Sequence, residues 1–209
     1  MPIIRYFEPA AQTELYIWKI TEELSYFLDK LSLLEKELNS LHSMLPKRQL
    51  EWILPRYICY VVWGHDASDY KKDQYQKPFL SNQPWHISIS HSSDMFAIMR
   101  SSTNCGIDIQ LRNPRISSIK HKFTSTSELE KFTDLPTEQA LHSIWCSKEA
   151  VYKCYGRRQL SLTNHIKLKS YVEEGQILAS ITKDTKSYNY QVTVKQMSNY
   201  TLAYALEQS

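Results

Sequence analysis

The segment WHISISHSSDMFAIMRSSTNCGIDIQ, residues 85–110, decides the architecture. WHISIS (85–90) alternates apolar and polar residues with a period of two, HSSD (91–94) has turn composition, and MFAIMRS (95–101) reads as a return strand. STN (102–104) turns again and CGIDIQ (105–110) reads as a third strand. Three short strands joined by tight turns predict an antiparallel meander. In the third, Cys105, Ile107 and Ile109 share one face while Gly106, Asp108 and Gln110 share the other. An aspartate between two isoleucines is costly unless a cation or hydrogen-bond donors meet it; the alternative is a solvated face on which it is idle. Gly106 leaves room for another backbone to come close.

Helical patterns lie to either side. Upstream, residues 12–41 are expected to be helical from Leu24, Phe27, Leu28, Leu31, Leu34, Leu38 and Leu41 at spacings of three and four. Pro46 opens a second helical stretch, which Pro55 is placed to kink and Gly64 to stop. Residues 65–84 form a long polar loop, of the kind that is often functional. Downstream, Ser125 and Glu128 fit a capping box for a short helix ending near Phe132. Thr137 is expected to cap a helix of about five turns that Gly156 ends, with Arg157 and Arg158 beyond it. Strands HIKLKSY, QILASIT, YNYQVTVKQ and YTLAYAL follow, with turns at EEG (173–175) and SN (198–199). Helices first and strands after, twice over, predict an α+β protein of two similar lobes, 1–104 and 105–209, each a small antiparallel sheet packed with helices, with a cleft between them.

Composition narrows the class. The chain has 209 residues, 42% hydrophobic and 22% charged, with a formal net charge of +3. That is ordinary for a soluble globular protein and too weakly basic to argue for nucleic acid, although 14 tyrosines and 5 tryptophans leave base stacking as a rival reading. No apolar run is long enough for a membrane span and the N-terminus lacks signal-peptide blocks, so a cytoplasmic location is expected. Cys59, Cys105, Cys146 and Cys154 show no CxxC spacing and read as buried thiols.

The chemistry concentrates in WCSKEAVYKCYG, residues 145–156. Leu141, Ile144, Trp145, Lys148, Tyr152 and Tyr155 form one stripe along the helix, so Lys148 stands in line with apolar neighbours and Glu149 and Lys153 stand beside them. One reading is bland: Glu149 and Lys153 pair on the surface, and Lys148 buries its stem and sends its head to water. The other reading joins these charges to Asp108 and to SISHSSD (88–94), where Ser90, His91, Ser92 and Ser93 suit a phosphate cradle. Two carboxylates, several cations and hydroxyl-rich turns point to magnesium and phosphoryl-group chemistry on a polyphosphate. Walker, GxGxxG and GxSxG motifs are absent from the sequence.

KPFL, ISISHS, GIDIQ and WCSKEAVYKCYG, in that order, resemble the 4′-phosphopantetheinyl transferases, and more closely the longer two-lobed type that activates surfactin synthetase than the short trimeric type. The resemblance covers residues 75–170 and extends weakly to the helix carrying Arg48. It implies an enzyme that moves the phosphopantetheine arm of coenzyme A onto a serine of an apo carrier protein and releases adenosine 3′,5′-bisphosphate. It implies that Asp108 and Glu149, with Gln110 as a weak third ligand, hold magnesium, or manganese, and that Glu149, or a metal-bound water it orients, takes the serine proton. Lys148 and Lys153 would neutralise the transferring phosphate. Lys77 and His91, joined by Arg48, would contact the 3′-phosphate, Ser90 and Lys153 would also bind coenzyme A, and Tyr75 and Pro78 would lie along the adenine. Many relatives carry an acid where Gln110 stands and a glycine where Gln76 stands. Carriers are acidic around their serine, so Arg112, Arg115, Lys120 and Lys122 are expected to steer them, unless this stretch is simply a solvated basic loop. A monomer without membrane or nucleic-acid partners is expected. The rival is a protein that binds coenzyme A or a carrier without turnover.

Overall fold

A computed structural model of the chain describes residues 3–157, 159–172 and 175–208. The expected α+β architecture is present as two antiparallel sheets, of six and five strands, each packed with helices. Strands β1 (Ile3–Ala10), β2 (Thr13–Lys19), β3 (Tyr70–Lys72), β4 (Pro78–Leu80), β5 (His86–Ser92) and β6 (Met95–Ser101) form the first sheet in the order β1-β2-β6-β5-β4-β3. Strands β7 (Cys105–Leu111), β8 (Ile166–Val172), β9 (Gln176–Lys183), β10 (Lys186–Met197) and β11 (Tyr200–Gln208) form the second in the order β7-β11-β10-β9-β8.

The N-terminus corrects the expected helix from residue 12. TELYIWK is β2, with Leu15 and Ile17 fully buried and Glu14 and Tyr16 partly exposed, a period of two rather than 3.6. Only two short helices realise the leucine pattern, α1 (Leu24–Leu28) and α2 (Glu35–His42). The chain between them is not helical, and Leu34 is exposed. Pro46 is the first residue of α3 (Pro46–Tyr57), where its missing N–H costs nothing. Beyond Pro55 the chain continues as a π-turn over 58–62, and Gly64, at φ +68°, stops it. The long loop carries β3 and β4, which extend the first sheet.

The expected meander is also corrected. β5 and β6 pair as a hairpin, but β7 leaves them and pairs with β11, Asp108 facing Ala203. The two sheets then stack. Leu15, Ile17, Ala97 and Met99 from the first meet Cys105, Ile107, Ile109 and Leu202 from the second in a shared core. The outer face of the first sheet packs under α1 and α3 through Trp18, Phe27, Ile53, Leu54 and Tyr57. The outer face of the second packs under α6 (Thr137–Tyr155). Where β7 runs beside β5, serine hydroxyls replace a backbone ladder: Ser88, Ser90 and Ser92 accept the N–H groups of Ile107, Ile109 and Leu111 at 3.0, 3.2 and 2.9 Å. The alternate serines of SISHS are the joint between the sheets.

Two further helices precede α6, namely α4 (Ile116–Ile119) and α5 (Thr126–Leu129). Ser125 and Glu128 form the expected capping box on α5, which runs into a 3₁₀ turn ending at Phe132. Pro136, not Thr137, holds the cap position of α6, and Thr137 is its first residue. Gly156 ends α6 in the left-handed conformation, as expected. Arg158 and the Glu173 and Glu174 of the expected EEG turn lie outside the described residues. All four cysteines are free and buried. No helix among the described residues is long and apolar enough to cross a membrane.

Candidate functional site

The site begins with one contact between backbones. Helix α6 lies so close on β7 that a Cβ on Gly106 would stand 2.0 Å from the Ala150 carbonyl oxygen and 2.5 Å from the Cys154 nitrogen. Glycine is the residue that permits this approach. It brings the helix face bearing Glu149 and Lys153 against the strand face bearing Asp108.

Asp108 is 1% exposed, and three side chains satisfy it. Lys153 Nζ donates to Oδ1 at 2.7 Å, Ser90 Oγ donates to the same oxygen at 2.8 Å, and Gln110 Nε2 donates to Oδ2 at 3.1 Å. Lys153 also donates to Ser90 Oγ at 2.9 Å, so this hydroxyl serves β7, Asp108 and Lys153 together. The ion pair formed is therefore Lys153 with Asp108, between α6 and β7, rather than the surface pair with Glu149 that the helix spacing allows. Burial pushes the Glu149 carboxyl above its usual range and Asp108 pushes it further, with Lys153 opposing. Two carboxylates thus face one half-buried space.

That space is a cavity of about 850 Å³. Among the residues expected from sequence, Arg48, Tyr75, Lys77, Pro78, Ser90, His91, Asp108, Gln110, Glu149 and Lys153 all line it. An arginine, a glutamate and a histidine from α3 and β5 also line it. His91 Nε2 lies 2.8 Å from Glu51 Oε1, and Arg48 Nη1 lies 2.9 Å from Glu51 Oε2. Burial lowers the His91 pKa and Lys47, Lys153 and Arg48 lower it further, while Glu51 opposes them. Glu51 and Trp52 line the cavity and were missed in the sequence. The signal that could have found them is their place in α3, one helical turn beyond Arg48.

The loop before β4 closes the remaining side. Asp73 Oδ1 accepts the N–H groups of Tyr75 and Lys77 at 2.8 and 2.9 Å, and Gln76 N–H bonds the Asp73 carbonyl at 3.0 Å. Gln76 sits at φ +71°. A side chain at this left-handed backbone position carries strain, about 1–2 kcal/mol. Lys77 then reaches back to the end of α6, its Nζ donating to the Cys154 carbonyl at 2.6 Å and to Asn104 Oδ1 at 2.5 Å. Its stem passes where a Cβ on Gly156 would be, 2.3 Å from Lys77 Cδ. A cation on the last carbonyls of a helix is favourable, so Lys77 ties the loop to α6.

Two expected residues are corrected. Lys148 does not face the cavity. It is 0% exposed, and its Nζ bonds Glu128 Oε2 at 2.8 Å and the Leu162 carbonyl at 3.0 Å. Neighbouring helix positions are turned about 100° apart, and that rotation sends Glu149 to the cleft and Lys148 to the core. Nor does its head reach water. Arg112 is likewise committed: it donates to the carbonyls of Met197, Ser198 and Tyr200 and to Gln196, clamping the turn between β10 and β11. Arg115, Lys120 and Lys122 remain exposed.

Among the described residues no group of three His, Cys, Asp or Glu side chains converges as a metal cluster. The donor set nevertheless fits a hard divalent cation. Two carboxylates share the cavity and one is raised by the other, a repulsion that such an ion relieves. Gln110 turns its amide nitrogen to Asp108, so here it supports the aspartate.

Residues 104–205 match the family model of the 4′-phosphopantetheinyl transferase superfamily. The match includes Asp108, Gln110, Glu149 and Lys153, and leaves Arg48, Glu51, Lys77 and His91 outside it. No curated protein matches the chain.

Proposed function

We propose that the chain, whose residues 104–205 carry the superfamily match, transfers the 4′-phosphopantetheine arm of coenzyme A to a serine of an apo carrier protein. The observation that carries this reading is one cavity lined both by Asp108, Glu149 and Lys153 and by Arg48, Glu51 and His91. A ligand with a pyrophosphate and a separate phosphate monoester on one nucleoside matches that pattern. The arginine and histidine take the 3′-phosphate, and Tyr75, Pro78 and Trp52 supply flat walls for the adenine. With Lys77 held on the helix end, its contribution to the phosphate is its field rather than a free ammonium.

The serine Oγ attacks the β-phosphorus. An Oγ–P bond forms, the bridging P–O bond breaks, and adenosine 3′,5′-bisphosphate leaves with the electron pair. Asp108 and Glu149 would hold a divalent cation, magnesium by donor type, which when bound neutralises the pyrophosphate and its leaving group. Glu149, on the cleft face of α6, accepts the serine proton, directly or through a water it orients. Lys153, already beside Asp108, supplies positive charge where the transferring phosphoryl group gains negative charge. Ser90 holds Lys153 and Asp108 in register.

The longer two-lobed subtype and a monomeric state belong to the same proposal: one chain supplies both ends of the cavity. Incubating an apo carrier protein with the chain, coenzyme A and magnesium, and weighing the carrier by mass spectrometry, tests the reading. Gain of the phosphopantetheine arm is expected. Binding of coenzyme A without that gain would leave only the non-catalytic reading.

A further inference from the structure

The anion-facing end of the cavity contains a carboxylate, which is an unexpected neighbour for a phosphate. Glu51, with its side chain 16% exposed, bridges Arg48 and His91. We propose that Glu51 is a positioning residue that makes His91 a proton-coupled clamp for the 3′-phosphate. The inference rests on the reading of the cavity as a coenzyme A site.

The argument concerns which ring nitrogen holds a proton. The groups that act on His91 are Lys47, Arg48 and Glu51 from α3 and Lys153 from α6. Three cations and burial favour the neutral imidazole. A neutral imidazole 2.8 Å from a carboxylate oxygen keeps its one proton on Nε2 and donates it to Glu51. That leaves Nδ1 as the nitrogen a ligand can meet, and in this tautomer Nδ1 is an acceptor, which repels a phosphate oxygen. The ring becomes a donor to phosphate when it gains a second proton, which Glu51 directs to Nδ1. Arrival of a dianionic monoester, itself titrating near pH 6, raises the His91 pKa and draws in that proton. Between pH 7 and 8.5 the phosphate stays dianionic, so the uptake belongs to the protein. Over that interval the 3′-phosphate strengthens binding most at the lower end, and its advantage declines by up to about tenfold per pH unit as pH rises.

The test compares coenzyme A with 3′-dephospho-coenzyme A by titration calorimetry in two buffers of different ionisation enthalpy, from pH 7 to 8.5. Wild type should take up a proton, approaching one per site, with coenzyme A and none with the dephospho form. His91→Asn should abolish the uptake and flatten the pH dependence of the preference. Glu51→Gln keeps an acceptor for Nε2 but removes the charge, and should shift the uptake to lower pH. Uptake that is equal for the two ligands, that persists in H91N (placing the proton on Glu51 itself), or that is unmoved in E51Q overturns the clamp. Those outcomes leave carrier modification intact. Failure of wild type to bind either ligand would instead remove the coenzyme A site and the proposed function with it.

Discussion

Lys148 and Glu149 are adjacent charges with opposite duties in the structure, and replacing Lys148 by methionine separates structural from catalytic loss. The substitution keeps volume and removes the ammonium. It strands the Glu128 carboxylate, 4% exposed, with hydrogen bonds from the Leu168 N–H at 3.1 Å and the weaker Ser125 N–H at 3.4 Å. Removing one partner of a buried pair costs about 3–5 kcal/mol, because the other charge stays buried and uncompensated. For a chain of this size each kcal/mol shifts the melting midpoint by about 2–4 °C, so K148M should melt roughly 6–20 °C lower. Glu128→Gln on that background should recover part of the loss, with a coupling of about 1–3 kcal/mol, since the stranded charge is then gone. Thermal melts by circular dichroism give the stability. Transfer assayed well below the mutant midpoint gives the chemistry, where KM for coenzyme A should be unchanged. A K148M protein that melts like wild type but has lost transfer would put Lys148 at the phosphate, as its place in the motif first implied.

Glu149→Gln should lower the transfer rate by about 10²–10⁴. A Glu whose folded pKa is raised weakens the fold as pH rises through it, so the amide should melt at or above the wild-type temperature at neutral pH; a clear drop would argue for a structural role. Gly106→Ala drives a methyl into the backbone of α6 and should cost about 3 kcal/mol or more, seen as insoluble or low-melting protein; a well-folded G106A would mean that the helix can step away from β7. Charge reversal at Arg115 and Lys120 should raise KM for an acidic carrier several-fold at low salt and leave KM for coenzyme A alone, an effect that weakens as salt is added. Arg112 is unsuited to that test, because its loss uncaps the β10–β11 turn.

The legible parts of the molecule were those in which a local pattern carries a physical demand. Ile107, Asp108 and Ile109 alternate, so the aspartate had to face away from the shared core, and its need for donors followed. Ser125 and Glu128 announced a helix start, and Gly156 a stop. What stayed hidden depended on partners distant in the chain. Asp108 and Glu149 could be named, but the rotation that turns Lys148 inward is fixed by Glu128, an acid that looked fully employed in its capping box. β7 resembled the third strand of a meander because its partner, β11, begins at Tyr200. Glu51 stands one turn beyond Arg48 in α3, but its meaning comes from His91 on another element. The N-terminal hairpin was lost to the leucines that follow it, although Leu15 and Ile17 alternate with Glu14 and Tyr16.

Strand β7 is the outermost member of its sheet, and an outermost strand ordinarily offers free N–H groups on which a foreign strand can add itself. The hydroxyls of Ser88, Ser90 and Ser92 saturate those donors without continuing a ladder. The chain can therefore bury the edge of CGIDIQL against β5 and deny it to other copies as a template for aggregation. Valines in place of the three serines would keep the strand propensity of β5 but leave the N–H groups of Ile107, Ile109 and Leu111 without their acceptors.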